Sequence, residues 1–361
     1  MNLVTGIMLC FSVLGALDCI AGNRFGLGKE FEKGIKMMGT MMLSMTGMII
    51  IAPYFANAIQ LVLKNMSDNC IIDPSVIPSL LLANDMGGAL LSIELAQKQE
   101  IGNFNAFVVS SMMGCTISFT IPFAMGSVEK ESHKELLIGL MCGIITIPIG
   151  CFVAGIVCGL PIMDLTIDLL PLLVLSVLLA CGLAKKPELC VKIFKIVGRG
   201  ISILITIGLL LGILQFAAGI EFISGLSTLE EGTAVCLNAS VTMTGAFPLM
   251  HILSRILKKP LLLIGEKINI NTVSSMGILA SLATSVTTFS MMKDMDKKGI
   301  VLNASFAVSG AFVFAGHLAF TLAFNEMYIG TMIVGKLVAG ILGIILANYM
   351  YEKLFIRKER K

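Results

Sequence analysis

The sequence predicts an all-α polytopic membrane protein, and three observations carry that prediction. Hydrophobic residues make up 56% of the 361 and charged residues only 14%, far less charged surface than a soluble domain of this length needs. Apolar runs of about 20 residues recur along the whole chain, each long enough to cross a ~30 Å hydrocarbon core. The connections between them are short, which leaves no room for a soluble domain. About eleven segments can be drawn, at 1–22, 34–63, 75–97, 103–126, 135–159, 166–184, 193–217, 233–255, 268–292, 299–324 and 326–350.

Segment 1–22 lacks a basic leader and a small-residue cleavage site, carries Asp18, and runs on into more membrane sequence. It therefore reads as a retained first helix. Segment 34–63 carries "SMTG" and the similarly spaced pair Asn57 and Gln60. Segment 75–97 holds "LLLANDMGGALLSIELA", with Asn84, Asp85, Gly87 and Gly88 inside an apolar run and Glu94 beyond them. Gly offers unusual φ/ψ and Asn and Asp offer local hydrogen bonds, so this stretch is suited to a turn at membrane depth. Segments 103–126 and 135–159 carry four of the ten cysteines; no C-x-x-C occurs, and the thiols read as small buried side chains. Segment 166–184 stands alone between two halves, and 193–217 follows the basic residues Lys185, Lys186, Lys192, Lys195 and Arg199. Segment 233–255 carries "TMTG" with Asn238 and Thr242 on one face, and 268–292 carries "SSMG" with Ser274 and Ser275. His317 sits mid-way along 299–324, and 326–350 is followed by the basic stretch "YEKLFIRKERK".

Basic residues concentrate in cytoplasmic connections. If all eleven segments crossed, the basic connections near Lys185 and near Arg255, Lys258, Lys259 and Lys267 would both lie outside. If 75–97 and 268–292 instead enter and leave on one face, both lie inside, together with Arg24, Lys29, Lys33 and Lys36. The stretches with Asp68 and Asp73, and with Glu221, Glu230 and Glu231, then lie outside. Charge placement favours two broken or re-entrant segments, an external N-terminus and a cytoplasmic C-terminus. Two ordinary helices are the other reading.

The halves also repeat. "AGNRF" returns as "AGIEF", "SMTG" as "TMTG" at an offset of 198, and "NAF" at Asn105 as "NAS" at Asn303 at the same offset; "NDMG" meets "SSMG" at 190. The pairing joins segments that run in opposite directions. The expected organisation is a first transmembrane repeat (1–160), a connecting helix and basic cytoplasmic loop (161–195), and a second, inverted repeat with a basic tail (196–361). Inverted repeats with broken helices are the layout of many secondary transporters, whose substrate site lies near the midplane.

An Asp at the bilayer centre costs about 2.5–3.5 kcal/mol on insertion scales. Such a cost points to a partner, and a cationic substrate or coupling ion is the natural one. Asp85 is the leading candidate, with Asn84 beside it and Ser274 and Ser275 as its repeat-related hydrogen-bonding groups; Asn238, Thr242 and Glu94 complete the candidate substrate-binding set. Each has a bland reading: a half-helix cap for Asp85, a carboxylate at the interface for Glu94 and Asp18, helix–helix hydrogen bonds for Asn238 and Thr242, and a satisfied buried ring for His317. Carboxylate at one end and hydroxyls at the other suit a small amino alcohol, and many other cations as well. No H-E-x-x-H occurs and nothing around Asp18 and Asp85 supports proteolysis. No metal, cofactor, nucleic acid or enzymatic activity is therefore expected; the lipid bilayer is the expected surrounding, and a homo-oligomer stays open.

"AGNRFGLGKEFEKG", "MGTMMLSMTGMIIIAP" and "LLLANDMGGALLSIELA", with "TMTGAFPLM" in the second half, resemble the ethanolamine-utilisation transporter family (EutH-type), and the resemblance covers essentially the whole chain. It implies an inner-membrane permease for ethanolamine. The residues themselves point to a transporter and lean towards a cation; another amine, a nucleoside or a non-transport membrane component are the alternatives.

Overall fold

The computed structural model describes residues 3–63 and 72–356. All regular structure among them is helical. Among the described residues, six helices are long and apolar enough to cross a membrane: Gln99–Ser127, Lys130–Val157, Ile162–Lys185, Pro187–Ala218, Leu229–Lys267 and Glu326–Leu354. Asp68 and the last five residues of the basic tail lie outside the described residues, as does the side chain of Gln60.

Helix α1 (Leu3–Ile20) turns sharply into α2 (Leu27–Met41). The turn is set by Asp18, whose carboxylate accepts the backbone N–H groups of Phe25 and Gly28, both at 3.0 Å. The Gly28 amide belongs to the first turn of α2, which lacks internal acceptors there, and the Phe25 amide to the turn that leads into it. Asp18 is thus a buried helix cap. A wide helical turn, Met42–Thr46, joins α2 to α3 (Gly47–Leu63). Gly47 and Gly208 face each other so closely that a Cβ on either would strike the other helix's backbone; small residues let membrane helices approach like this.

Two short helices, α4 (Val76–Leu81) and α5 (Gly88–Leu95), follow. They are separated by one tight turn, Asn84–Met86, entered through extended Leu82 and left through Gly87 at φ +99°. Gly87 is required twice over: its φ is left-handed, and Met48 occupies the space a side chain would take. The chain then rises through α6 (Gln99–Ser127), falls through α7 (His133–Val157), and continues through α8 (Ile162–Lys185) and α9 (Pro187–Ala218). Much of α6 is wound more loosely than an α-helix. The cause is legible in its side chains: Ser110, Ser111, Thr116 and Ser118 all donate back to carbonyls of their own helix, which distorts helical geometry.

The basic loop expected within 161–195 does not exist as a loop. Only Lys186 separates α8 from α9, and Lys192, Lys195 and Arg199 lie on the first turns of α9. Likewise α10 (Leu229–Lys267), opened by a capping box between Thr228 and Glu231, carries Arg255, Lys258, Lys259 and Lys267 along its own final turns. At about 1.5 Å per residue its 39 residues extend roughly 58 Å, well beyond a bilayer core. The basic segments read as connections are projecting helix ends.

Helices α11 (Thr272–Ser281) and α12 (Ser285–Met291) repeat the arrangement of α4 and α5, separated at Leu282–Thr284. The expected segment 299–324 is not continuous. It is α13 (Lys297–Gly310) and α14 (Gly316–Phe324), with unwound backbone at 311–315 and Phe312 at φ +62°. The stretch is Ala-Phe-Val-Phe-Ala, bracketed by Gly310 and Gly316. It holds because Phe312 and Phe314 donate their amides to Ser281 and Leu282 carbonyls at the tip between α11 and α12, and unwound backbone at membrane depth needs such partners. Helix α15 (Ile329–Tyr351) closes the bundle against α7 and α13.

Candidate functional site

Each pair of short helices is a hairpin pinned at its feet. In the first, Asp73 accepts from Ser75 N–H through one oxygen, and from Gln97 and Lys98 N–H through the other, all at 3.0 Å. One carboxylate joins the start and the end of the segment. In the second, Asp296 accepts from Asn271 N–H at 3.0 Å and from Ser274 Oγ at 2.6 Å, joining that segment's two ends. An asparagine of the following helix braces each foot. Asn105 Nδ2 donates to Ser75 Oγ at 2.9 Å, and Asn303 Nδ2 donates to the Ser274 carbonyl at 2.8 Å. Asn105 also donates to Asp168 on α8 at 3.2 Å.

These contacts put the candidate residues in two groups. Asn84 and Asp85 lie at the first tip. Asn84 is fully buried, and neither its amide oxygen nor its nitrogen has a protein partner. Asp85 is half-buried. Ser274 and Ser275 lie at the foot of the second hairpin: Ser274 bonds to Asp296, and Ser275 Oγ donates to the Asn271 carbonyl of its own helix at 3.3 Å. The "NDMG"–"SSMG" alignment thus pairs a tip with a foot. Thr242 donates to the Asn238 carbonyl of its own helix at 3.0 Å, Asn238 is exposed, and Glu94 is exposed one residue before the end of α5. The hydrogen bonds described for Ser274, Ser275 and Thr242 do not reach Asp85.

The tip meets other groups. Ala83 N–H is held by Ser118 Oγ of α6 at 3.1 Å, and α14 packs on the turn 84–86. His317, at the start of α14, is buried with Nδ1 unpartnered, and its ring rests on Phe312 at 5.2 Å between centroids. An aromatic chain runs on from there: Phe312 to Phe119 at 5.7 Å, Phe119 to Phe123 at 5.4 Å, and Phe123 to Phe289 of the second hairpin at 6.2 Å. Phe119, Phe123 and Phe312 stay partly exposed inside the bundle. Lys336, mid-way along α15 and 1% exposed, donates to the Ser111 carbonyl of α6 at 2.7 Å. Asp85 and Cys115 both lie within its electrostatic reach. A cleft of about 300 Å³, lined by Glu30, Lys33, Phe247, His251, Ala280 and Ala283 among others, leads from the start of α2 to the second tip.

Sequence reading missed Lys336 and Asp168. Both are lone charges inside apolar segments, the same signal that selected Asp85. Asp168 is 3% exposed, and one of its oxygens has no protein partner. The phenylalanines carry no such signal, because in a membrane helix they look like any lipid-facing residue.

A family model described as "Ethanolamine utilisation protein, EutH" matches residues 1–350. The chain belongs to this family. Full-length EutH relatives bear the match out. A protein of Listeria monocytogenes serotype 1/2a, named "Probable ethanolamine permease EutH", is 40% identical over 360 residues, covering 100% of this chain and 96% of its own. A Salmonella typhimurium protein of the same name is 34% identical, covering 98% and 96%, and a Bacillus subtilis protein named "Uncharacterized protein YxeR" is 34% identical, covering 99% and 97%. No solved structure matches this chain.

Proposed function

We propose that the protein is a permease for ethanolamine, carried as the ammonium ion, with Asp85 as its counter-charge at a midplane site between the two hairpin tips. Asn84 carries the reading furthest. A fully buried amide with both ends unpartnered costs free energy wherever nothing binds it, and it lies beside the only carboxylate that the described residues place at the tip. A small amino alcohol offers an ammonium for Asp85 and a hydroxyl for an amide. Charge-assisted hydrogen bonds are roughly twice as strong as neutral ones, and the partly exposed faces of Phe119 and Phe312 suit a cation. Of the wider candidate set, Asn84 and Asp85 stay as ligands. Ser274 and Ser275 take the role of foot residues, while Asn238, Thr242 and Glu94 leave the site.

An inverted repeat accounts for the arrangement. Asn105 and Asn303 brace equivalent feet at the 198-residue offset, and Asp73 and Asp296 close them from opposite legs. The first foot joins the start of α8 through Lys98 and Asp164 at 2.7 Å, whereas the second follows directly on the end of α10. By connectivity those two helix ends face opposite sides if α8, α9 and α10 all cross. The basic helix ends then mark the cytoplasmic side, and the cleft reaching the second tip is the inward opening. Uptake of labelled ethanolamine into proteoliposomes tests the reading. Entry above that of empty liposomes, lost in Asp85→Asn, supports it; entry equal to empty liposomes under every imposed gradient sinks it.

A further inference from the structure

We propose that Lys336 is a resident cation of the transport site, and that the substrate ammonium enters only as Lys336 gives up a proton, which makes the permease a one-for-one exchanger of substrate cation and proton. This rests on the permease reading and on Asp85 as counter-charge. Lys336 Nζ is buried and donates a hydrogen bond to the Ser111 carbonyl. None of the four ion pairs among the described residues includes it. The titratable groups within its electrostatic reach are Cys115 of α6, Cys151 of α7, Asp85 of the first hairpin and His317 of α14. Helix α13, also packed on α15, has no titratable side chains other than Lys297 and Lys298 at its start. Gly114 of α6 packs against the Leu82 backbone, so the turn 111–115 lies between the lysine and the tip.

The charge accounting follows. Without substrate, one carboxylate balances one ammonium. A second ammonium at Asp85 leaves an uncompensated charge away from water, which is the costly state. Loss of one proton from Lys336 removes it. The N–H bond breaks, its electron pair stays on Nζ, and the proton leaves to water on the side then open. The neutral amine keeps an N–H for Ser111. When substrate departs on the other face, Lys336 takes a proton there. Arginine could not serve, because its guanidinium does not deprotonate in proteins.

The test measures proton release when ethanolamine hydrochloride is added to the purified protein in nanodiscs, in weak buffer with an indicator dye. Wild type should release one proton per substrate bound, and its apparent affinity should rise with pH, by about tenfold per unit wherever Lys336 is the group that gives up the proton. Lys336→Met should release none and bind independently of pH once the lone Asp85 is ionised; Lys336→Gln, which keeps a donor for Ser111, stands in if the Met variant does not assemble. Lys336→Arg should not bind. Binding by wild type without proton release overturns the proposal. So does release of one proton by both neutral variants that stays constant as the pH is raised, which would mean that the uncharged amine is bound and not that an unpaired Asp85 sheds its own proton. No binding by wild type at all defeats the permease reading instead, and this proposal with it.

Discussion

Asp73→Asn should unfasten the first hairpin. The wild-type carboxylate accepts three backbone N–H groups, and hydrogen bonds to charged groups are worth roughly 1.5–3 kcal/mol each against 0.5–1.5 for neutral ones. An asparagine has one acceptor oxygen. If it keeps Gln97 and Lys98, both bonds weaken by about 1 kcal/mol, and the new amide nitrogen faces the Ser75 N–H, leaving that donor unpaired at a further cost of about 1–3 kcal/mol. The total is about 3–5 kcal/mol. The chain has no Trp, so unfolding is best followed with a thiol-reactive dye that reports exposure of the buried Cys115, Cys142, Cys151 and Cys236. The midpoint should fall by roughly 5–10 °C. Asp164→Asn is the control: its pair with Lys98 is short but largely exposed, and such pairs are worth about 0–1 kcal/mol. An unchanged midpoint in Asp73→Asn, or a larger fall in Asp164→Asn, would refute the role of the Asp73 carboxylate in closing the hairpin.

Asp85→Asn should insert and fold but lose nearly all ethanolamine uptake, checked by proteoliposome transport beside a melting curve. Ser275→Ala and Thr242→Val should transport within about twofold of wild type, since each hydroxyl serves a carbonyl of its own helix; loss of uptake in either would return that residue to the site. Phe312→Leu should weaken binding by about 0.5–2 kcal/mol if its ring faces the ammonium, measured as a rise in the half-saturating concentration. Gly47→Leu should fail to yield folded protein by size-exclusion chromatography, because no side chain fits between α3 and α9 there.

What the sequence determined by itself is local. The apolar runs require helices in a membrane, because every backbone group there must be bonded internally. The first hairpin's tip is written in Asn84, Asp85, Gly87 and Gly88, since turning the chain depends on those residues' own φ/ψ and short-range hydrogen bonds. The 198-residue offset was also legible, and it links the very asparagines that brace the two feet. What the tertiary structure decided is partnership. A four-letter alignment pairs Ser274 and Ser275 with Asn84 and Asp85, and only the bonds of Ser274 to Asp296 and of Ser275 to the Asn271 carbonyl show that they stand at a foot. The break at 311–315 has only its flanking Gly310 and Gly316 as a local signal, because its unwound amides are held by Ser281 and Leu282, some 30 residues away in the chain. Lys336 and Asp168 are visible as lone charges, but whether such a charge faces lipid, water or another charge depends on helices far away in sequence. Periodicity and composition cannot encode that neighbourhood; packing alone creates it.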